Sequence, residues 1–305
     1  MQKEQLLNLL RKSYGIGVVL LEFLRDAGGT TYTVEGAEGR YLLKVIGGAF
    51  EGTASQSVPI MRYLEQQGFP VPETILTKEG QPVLEEEMDG QRTQLILQTF
   101  IDGEEPNLKL RAEEVGALVG RLHALLNEYP GELGSQDYAF FIGRYLEVLR
   151  KKGYPRLGAY TVLGKKLWER VKDLPIGNCH GDLHRGNLLE ARDGTIYLLD
   201  FDTVCRAPIM FDVMVMCDMT DYFHLKPEDI QTTRDVYERF LTGYTEYRPL
   251  SQAERRSFYD WVAIRHFQLQ ATIVEIYGID CIDESFIDMQ LAWLESWLQA
   301  IEVIQ

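Results

Sequence analysis

Cys179 to Asp202 reads CHGDLHRGNLLEARDGTIYLLDFD, and this stretch decides the fold. Asp193-Gly194 is a turn dipeptide between two apolar runs, Asn187 to Leu189 and Ile196 to Leu199, so the spacing predicts a β-hairpin. His180 to Arg185 is then the loop entering the first strand, and Asp200 to Asp202 the exit of the second. Such a hairpin brings Asp182, Asn187 and Asp200 to one end. Three oxygen donors near one point suit Mg²⁺, a hard cation that takes carboxylate and amide oxygens and keeps waters for a phosphate to replace.

The same letters admit two other readings. His180, Asp182 and His184 alternate as H-x-D-x-H, and a zinc or di-metal hydrolase also uses imidazoles with carboxylates. Such sites draw on further histidines, and the remaining His123, His224 and His266 form no ligand pair by spacing. Carboxylates that merely line polar turns would leave unexplained why an asparagine and three aspartates gather where the chain is otherwise apolar.

HGDLHRGN, followed thirteen residues after its Asn by DFD, resembles the catalytic loop and metal-binding segment of the aminoglycoside phosphotransferase and choline kinase superfamily, relatives of the protein kinases. The protein-kinase form, HRDxxxxN with DFG, has the same Asp-to-Asn spacing. Asp202, where protein kinases have Gly, matches the small-molecule kinases. The resemblance implies an α+β, two-lobed, protein-kinase-like fold: an N-terminal nucleotide-binding lobe over 1–101 with about five antiparallel strands and a helix, and a mostly helical catalytic and substrate-binding lobe over 102–305. It implies ATP, or GTP, with Mg²⁺ as cofactors. Asp182 is then the catalytic base facing the substrate hydroxyl, Asn187 and Asp200 are the Mg²⁺ ligands, and His180 orders the loop. Asp202 stands beside the metal ligands, and Asp212, in a Pro-x-x-x-Asp that opens a helix, braces the loop.

Outward from that window, the N-terminal third reads as β-rich. Gln2 to Tyr14 is a short amphipathic helix, followed by strand-like runs at Val18–Leu24, Thr30–Glu35 and Arg40–Ile46. Gly28 and Gly29 break the first two runs, where kinases carry a glycine-rich loop that lets backbone amides approach phosphate; a plain hairpin turn is the bland alternative. Lys44 stands alone in the apolar run Tyr41–Ile46, and a buried ammonium needs water or an anion. By resemblance it is the lysine that holds the α and β phosphates of ATP. Its usual glutamate partner falls on Ser57 here, counting back from Gly68, with Glu51 as a substitute. Asp89-Gly90 predicts a second hairpin joining Pro82–Met88 to Thr93–Phe100. Gln98, Thr99, Phe100 and Ile101 are then the hinge segment that meets the adenine edge.

Beyond Gly103 the period becomes helical, over Arg111–Asn127, Tyr138–Lys151 and Leu157–Val171. Ser251-x-x-Glu254 is a capping box that opens a long helix to about Tyr277, and Asp283–Ile304 is the last, with Ile287, Leu291, Leu294, Leu298 and Ile301 as its buried stripe. Glu275, Asp280, Asp283 and Glu284 fall within ten residues without a cation, and with Asp218 and Asp221 they are candidates for a cationic acceptor's pocket or for a solvated helix junction.

The net charge is −15 over 305 residues, and from Thr203 onward 17 acidic residues face 8 basic ones, −9 of that total. No basic stripe offers a grip on nucleic acid. The four cysteines show no C-x-x-C spacing, the first residues lack a signal-peptide core, and Glu22 interrupts the apolar run at Val18–Leu24. The expectation is a soluble, cytoplasmic, reduced enzyme with a small-molecule hydroxyl substrate. An aminoglycoside suits the acidic lobe; homoserine, methylthioribose, choline, a macrolide or a protein side chain are alternatives, and a nucleotide-binding pseudokinase is the non-enzymatic one.

Overall fold

The computed structural model describes residues 3–26, 29–47, 53–88 and 90–302. The chain forms two compact units. The first runs to Pro106 and takes in Arg185–Val204; the second comprises Asn107–His184 and the chain from Cys205 onward.

In the first unit, helix α1 (Lys3–Leu9) continues as a π-helical turn at Leu10–Tyr14. Strands β1 (Val18–Asp26), β2 (Thr30–Gly36), β3 (Gly39–Gly47), β4 (Thr74–Ile75), β5 (Leu84–Met88) and β6 (Gln91–Thr99) form one antiparallel sheet in the order β1-β2-β3-β6-β4, with β5 also on β6. The sheet thus has six strands among the described residues, not five: the two-residue β4 is too short to leave a periodic signal. Alternation along the strands sends Leu21, Val34, Leu43, Val45, Leu95 and Leu97 into one core with Leu6 and Leu10 of the N-terminal helix. Helix α2 (Thr53–Gln66) lies on the Lys44 side of the sheet, where Ser57 and Met61 share a cavity with it, and buries Ala54, Val58, Ile60 and Leu64.

The expected hairpin forms, as β9 (Leu188–Ala191) and β10 (Ile196–Leu198). Gly194 has φ +85°, which a Cβ would strain, and Thr195 donates its N–H to the Asp193 carboxylate at 2.9 Å. Asn187 lies in a single 3₁₀ turn, Arg185–Asn187, rather than in the strand, because the loop must reverse before pairing starts. By contact the hairpin belongs to the first unit: β9 pairs with β7 (Gly103–Glu104), and Leu198 donates its N–H to Pro70 O at 3.0 Å.

The second unit is helical around one antiparallel pair, β8 (Ile176–Cys179) with β11 (Cys205–Pro208), in register at Cys179–Cys205. That pair brackets the quoted stretch. Helix α3 (Leu108–Glu128) buries Val115, Val119, Leu122 and Leu126, the 3.6-residue stripe. Gly116 and Gly120 of α3 and Gly243 of α7 (Pro227–Tyr244) leave no room for a Cβ against the facing backbone, so these two helices run main chain to main chain. Helix α7 escaped the sequence reading. Helices α4 (Arg144–Lys151), α5 (Leu157–Val171) and α6 (Met210–Cys217) pack against α8 (Gln252–Tyr277), whose N-terminus carries the full Ser251/Glu254 capping box. In α9 (Glu284–Glu302) the buried stripe is Ile287, Leu291, Leu294 and Ile301; Trp297 takes the place expected of Leu298. No helix among the described residues is long and apolar enough to cross a membrane.

Candidate active site

Lys44 sits at the middle of β3, opposite Thr31 of β2 and Ile96 of β6. Its ammonium meets Asp200 Oδ1 at 3.4 Å and forms a close ion pair with Asp202 Oδ2. Arg25, at the end of β1, adds its guanidinium to Asp200 Oδ2 at 3.7 Å. The lysine therefore has carboxylate partners, but from the end of the hairpin rather than from α2, where Ser57 is buried. Glu51, the substitute considered above, lies outside the described residues. Asp200 is the only described non-glycine residue with positive φ, +63°. That conformation costs on the order of 1–3 kcal/mol and persists only when its surroundings over-determine it. Here the Leu199 N–H to Asn187 O bond, at 2.9 Å, fixes the strand end, and two cations hold the carboxylate.

That bond also sets Asn187 and Asp200 at the same end of the hairpin. An amide and two carboxylates in this corner are hard oxygen donors, the set a Mg²⁺ ion takes, and the residues present fit the ion. Among the described residues no three His, Cys, Asp or Glu side chains gather as a zinc or di-metal hydrolase would require.

Beside this corner the same unit has a cavity walled by Leu42, Met61, Pro72, Ile96 and Phe201, with Lys44, Asp200 and Asp202 at its polar end. An apolar slot closed by charge suits a flat heterocycle bearing phosphates. Of the expected hinge, Gln98 pairs with both Leu42 and Thr74 and gives its side-chain N–H to Met61 Sδ at 3.2 Å. The Thr99 N–H donates to Glu73 O at 2.9 Å, and the Phe100 N–H to Arg40 O at 3.1 Å. The sheet thus already uses those two amides, and Ile101 lies just past them. Gly29 has φ +120°, and a Cβ there would stand 2.8 Å from Val45 O, so close packing on β3 alone requires glycine. Gly28 lies outside the described residues.

In the second unit, the loop that carries Asp182 hangs from Asp212. This carboxylate, fully buried near the start of α6, accepts the N–H of His180 at 2.6 Å and of Gly181 at 3.0 Å. His123 Nε2 meets Asp212 Oδ2 at 3.0 Å, and His123 Nδ1 meets the Tyr244 hydroxyl at 2.8 Å. His123 is accordingly a hydrogen-bonded core residue. Asp182 donates its own N–H to His180 Nδ1 at 3.4 Å, and its carboxylate is left half exposed, 3.6 Å from His184 Nε2 and 3.9 Å from Arg265. Its loop is thus held through the backbone while the carboxylate stays accessible.

The acidic set of the second unit has local uses. Glu275 pairs with Arg144 at 2.7 Å, a cation from another helix that sequence distance hid. The Asp218 carboxylate accepts Thr220 N–H and Oγ1–H, Asp221 accepts the N–H groups of Phe223 and His224, and Asp283 accepts that of Phe286. Asp280 and Glu284 are exposed. Three residues went unnoticed in the sequence: Arg25, Arg265, and Gln56, whose amide donates to Val204 O at 2.5 Å. For Arg265 a signal existed, a charge directly after the apolar run Trp261–Ile264.

Comparison with known proteins follows the same lines. Residues 19–250 match the model of the phosphotransferase enzyme family. A homoserine kinase of Neisseria meningitidis is 24% identical over 244 residues, 75% of this chain and 74% of its own. Among solved structures, an amicoumacin kinase in complex with AMP-PNP, Ca²⁺ and Ami superposes with a TM-score of 0.77 at 19% identity, covering 97% of this chain and 93% of its own. A microcompartment-associated aminopropanol kinase superposes with a TM-score of 0.76 at 18% identity, covering 98% of each chain. The fold is thus the two-lobed kinase-like one, and the chain belongs to the phosphotransferase enzyme family, a phosphotransferase whose acceptor is an alcohol group.

Proposed function

We propose that the protein transfers the γ-phosphoryl group of ATP to the hydroxyl of a small molecule, with Asp182 as the base. The observation that carries this reading is the Lys44, Asp200 and Asp202 corner at the polar end of an apolar slot. Adenine lies in the slot, and the Ile101 N–H, which no described bond engages, meets its edge. Lys44 turns from the aspartates to the α and β phosphates, and Arg25 follows from Asp200. Asn187 and Asp200 would hold Mg²⁺, which would neutralise charge on the phosphates. The acceptor oxygen bonds to the γ-phosphorus as the bond to the β–γ bridging oxygen breaks; ADP leaves, and the acceptor proton passes to Asp182. Positioning and electrostatics do most of such catalysis.

The AMP-PNP and Ca²⁺ in the amicoumacin kinase structure support nucleotide and divalent-ion use. Asp218, Asp221, Glu275 and Asp283 have partners within the second unit, which weakens the case for an aminoglycoside. Calorimetric titration with ATP and GTP, with and without Mg²⁺, tests the proposal. Mg²⁺-dependent binding of ATP is expected, with GTP as the competing donor. Binding of neither nucleotide under any condition would overturn it in favour of a non-kinase role.

A further inference from the structure

Arg265 lies on α8 with its side chain only 18% exposed. Its one ion pair among the described residues is to Asp182 Oδ1, at 3.9 Å, and no described hydrogen bond uses its five N–H donors. Burial pulls the guanidinium pKa down, against the charges of Asp182 and Asp218 nearby. An enclosed guanidinium left so bare is poised for something else, because the fork is suited to bidentate bonds with planar anions.

A second observation lies beside it. Tyr222 is fixed at both ends: its ring stacks on His266, with centroids 4.8 Å apart, and its carbonyl accepts Gln290 Nε2 at 3.0 Å. Its hydroxyl is buried beside Arg265 and reaches only the side chain of Gln270. Gln270, 1% exposed, has no described partner besides Tyr222. Buried polar groups are almost always satisfied, so a guanidinium without a described hydrogen bond, beside two side chains that have only each other, calls for an occupant.

We infer that Arg265 and Tyr222 form the acceptor's anchor and that the acceptor is a small hydroxylated carboxylic acid. Its carboxylate takes the Arg265 fork and the Tyr222 hydroxyl, which delivers its own hydroxyl to Asp182; this part rests on the reading of Asp182 as base. A carboxylate fits better than a phosphate, because Asp182 and Asp218 stand close by and would repel a dianion more strongly. It fits better than a cation, because the nearest acidic groups, Asp182 and Asp218, already have partners in His184 and Thr220, while the guanidinium has one ion pair among the described residues.

The test is calorimetric titration of the full chain saturated with Mg²⁺ and AMP-PNP. Three probes are compared: homoserine, 3-amino-1-propanol, which lacks only its carboxylate, and 4-hydroxybutyrate, which lacks only its amine. At least one carboxylated probe is expected to bind about tenfold or more tighter than the amino alcohol. Arg265→Gln should erase that preference and Tyr222→Phe should reduce it, with AMP-PNP affinity unchanged in both. Equal or tighter binding of the amino alcohol, no binding by either acid, or an equal loss for all three probes in Arg265→Gln would overturn the inference while leaving the phosphotransferase reading intact. Failure of AMP-PNP to bind would instead count against that reading.

Discussion

Lys44 and its aspartates are partly open to solvent and held by charge, whereas the loop bearing Asp182 hangs by its backbone from a fully buried carboxylate. The first arrangement can be undone cheaply. The long side chains of Lys44 and Arg25 can move to a new anion without breaking the sheet. The second cannot, since removing Asp212 would leave two backbone N–H groups and His123 without their acceptor in the core. A nucleotide corner that must exchange partners in each turnover gains from the first design. A base that must wait in one place gains from the second.

That contrast can be broken by experiment, starting where the effect is largest. Asp212→Ala should cost about 3–5 kcal/mol of stability, the usual result of stranding a buried charged network, read as a shift in urea midpoint. A shift no larger than that of a surface substitution would mean that the loop is not held as described.

The buried frame also sets a pH response. Burial, opposed by the Gln290 hydrogen bond and aided by the Arg265 charge, pushes His266 down to about 4 from 6.5. The unfolded chain then binds a proton that the folded one refuses, so stability is full above pH 6.5 and falls as the pH drops towards 4, by roughly 3 kcal/mol in total. His266→Gln should flatten that part of the stability profile relative to the parent. An unchanged slope would show that another group carries it.

On the nucleotide side, Lys44→Met should weaken Mg²⁺-nucleotide binding by about tenfold or more, the worth of a hydrogen bond to charge, and change stability in urea by less than Asp212→Ala does. A variant that unfolds readily but keeps its nucleotide affinity would reverse the comparison.

Sequence carried the reading furthest where chemistry and local geometry coincide. The hairpin was legible because Asp193-Gly194 fixes the turn and apolar runs flank it, and the α8 start because Ser251 and Glu254 are three residues apart. Lys44 stood out as a charge in an apolar strand. Its partners did not, since Asp200 and Asp202 are more than 150 residues away and only tertiary folding brings them together. Arg144 was invisible as the neighbour of Glu275 for the same reason, at 131 residues. Strands β4 and β7 were missed because two residues cannot show a period. Helix α7 was missed although its buried Val236, Tyr237, Phe240, Leu241 and Tyr244 form a helical stripe, hidden among dense charges.

Separate duties for the two arrangements are tested most directly by single-turnover phosphoryl transfer by Asp182→Ala at saturating Mg²⁺-ATP. The predicted result is a rate lower by on the order of 10² or more, with nucleotide affinity within about twofold of the parent. An undiminished rate, or a loss of nucleotide binding that accounts for the whole defect, would contradict it.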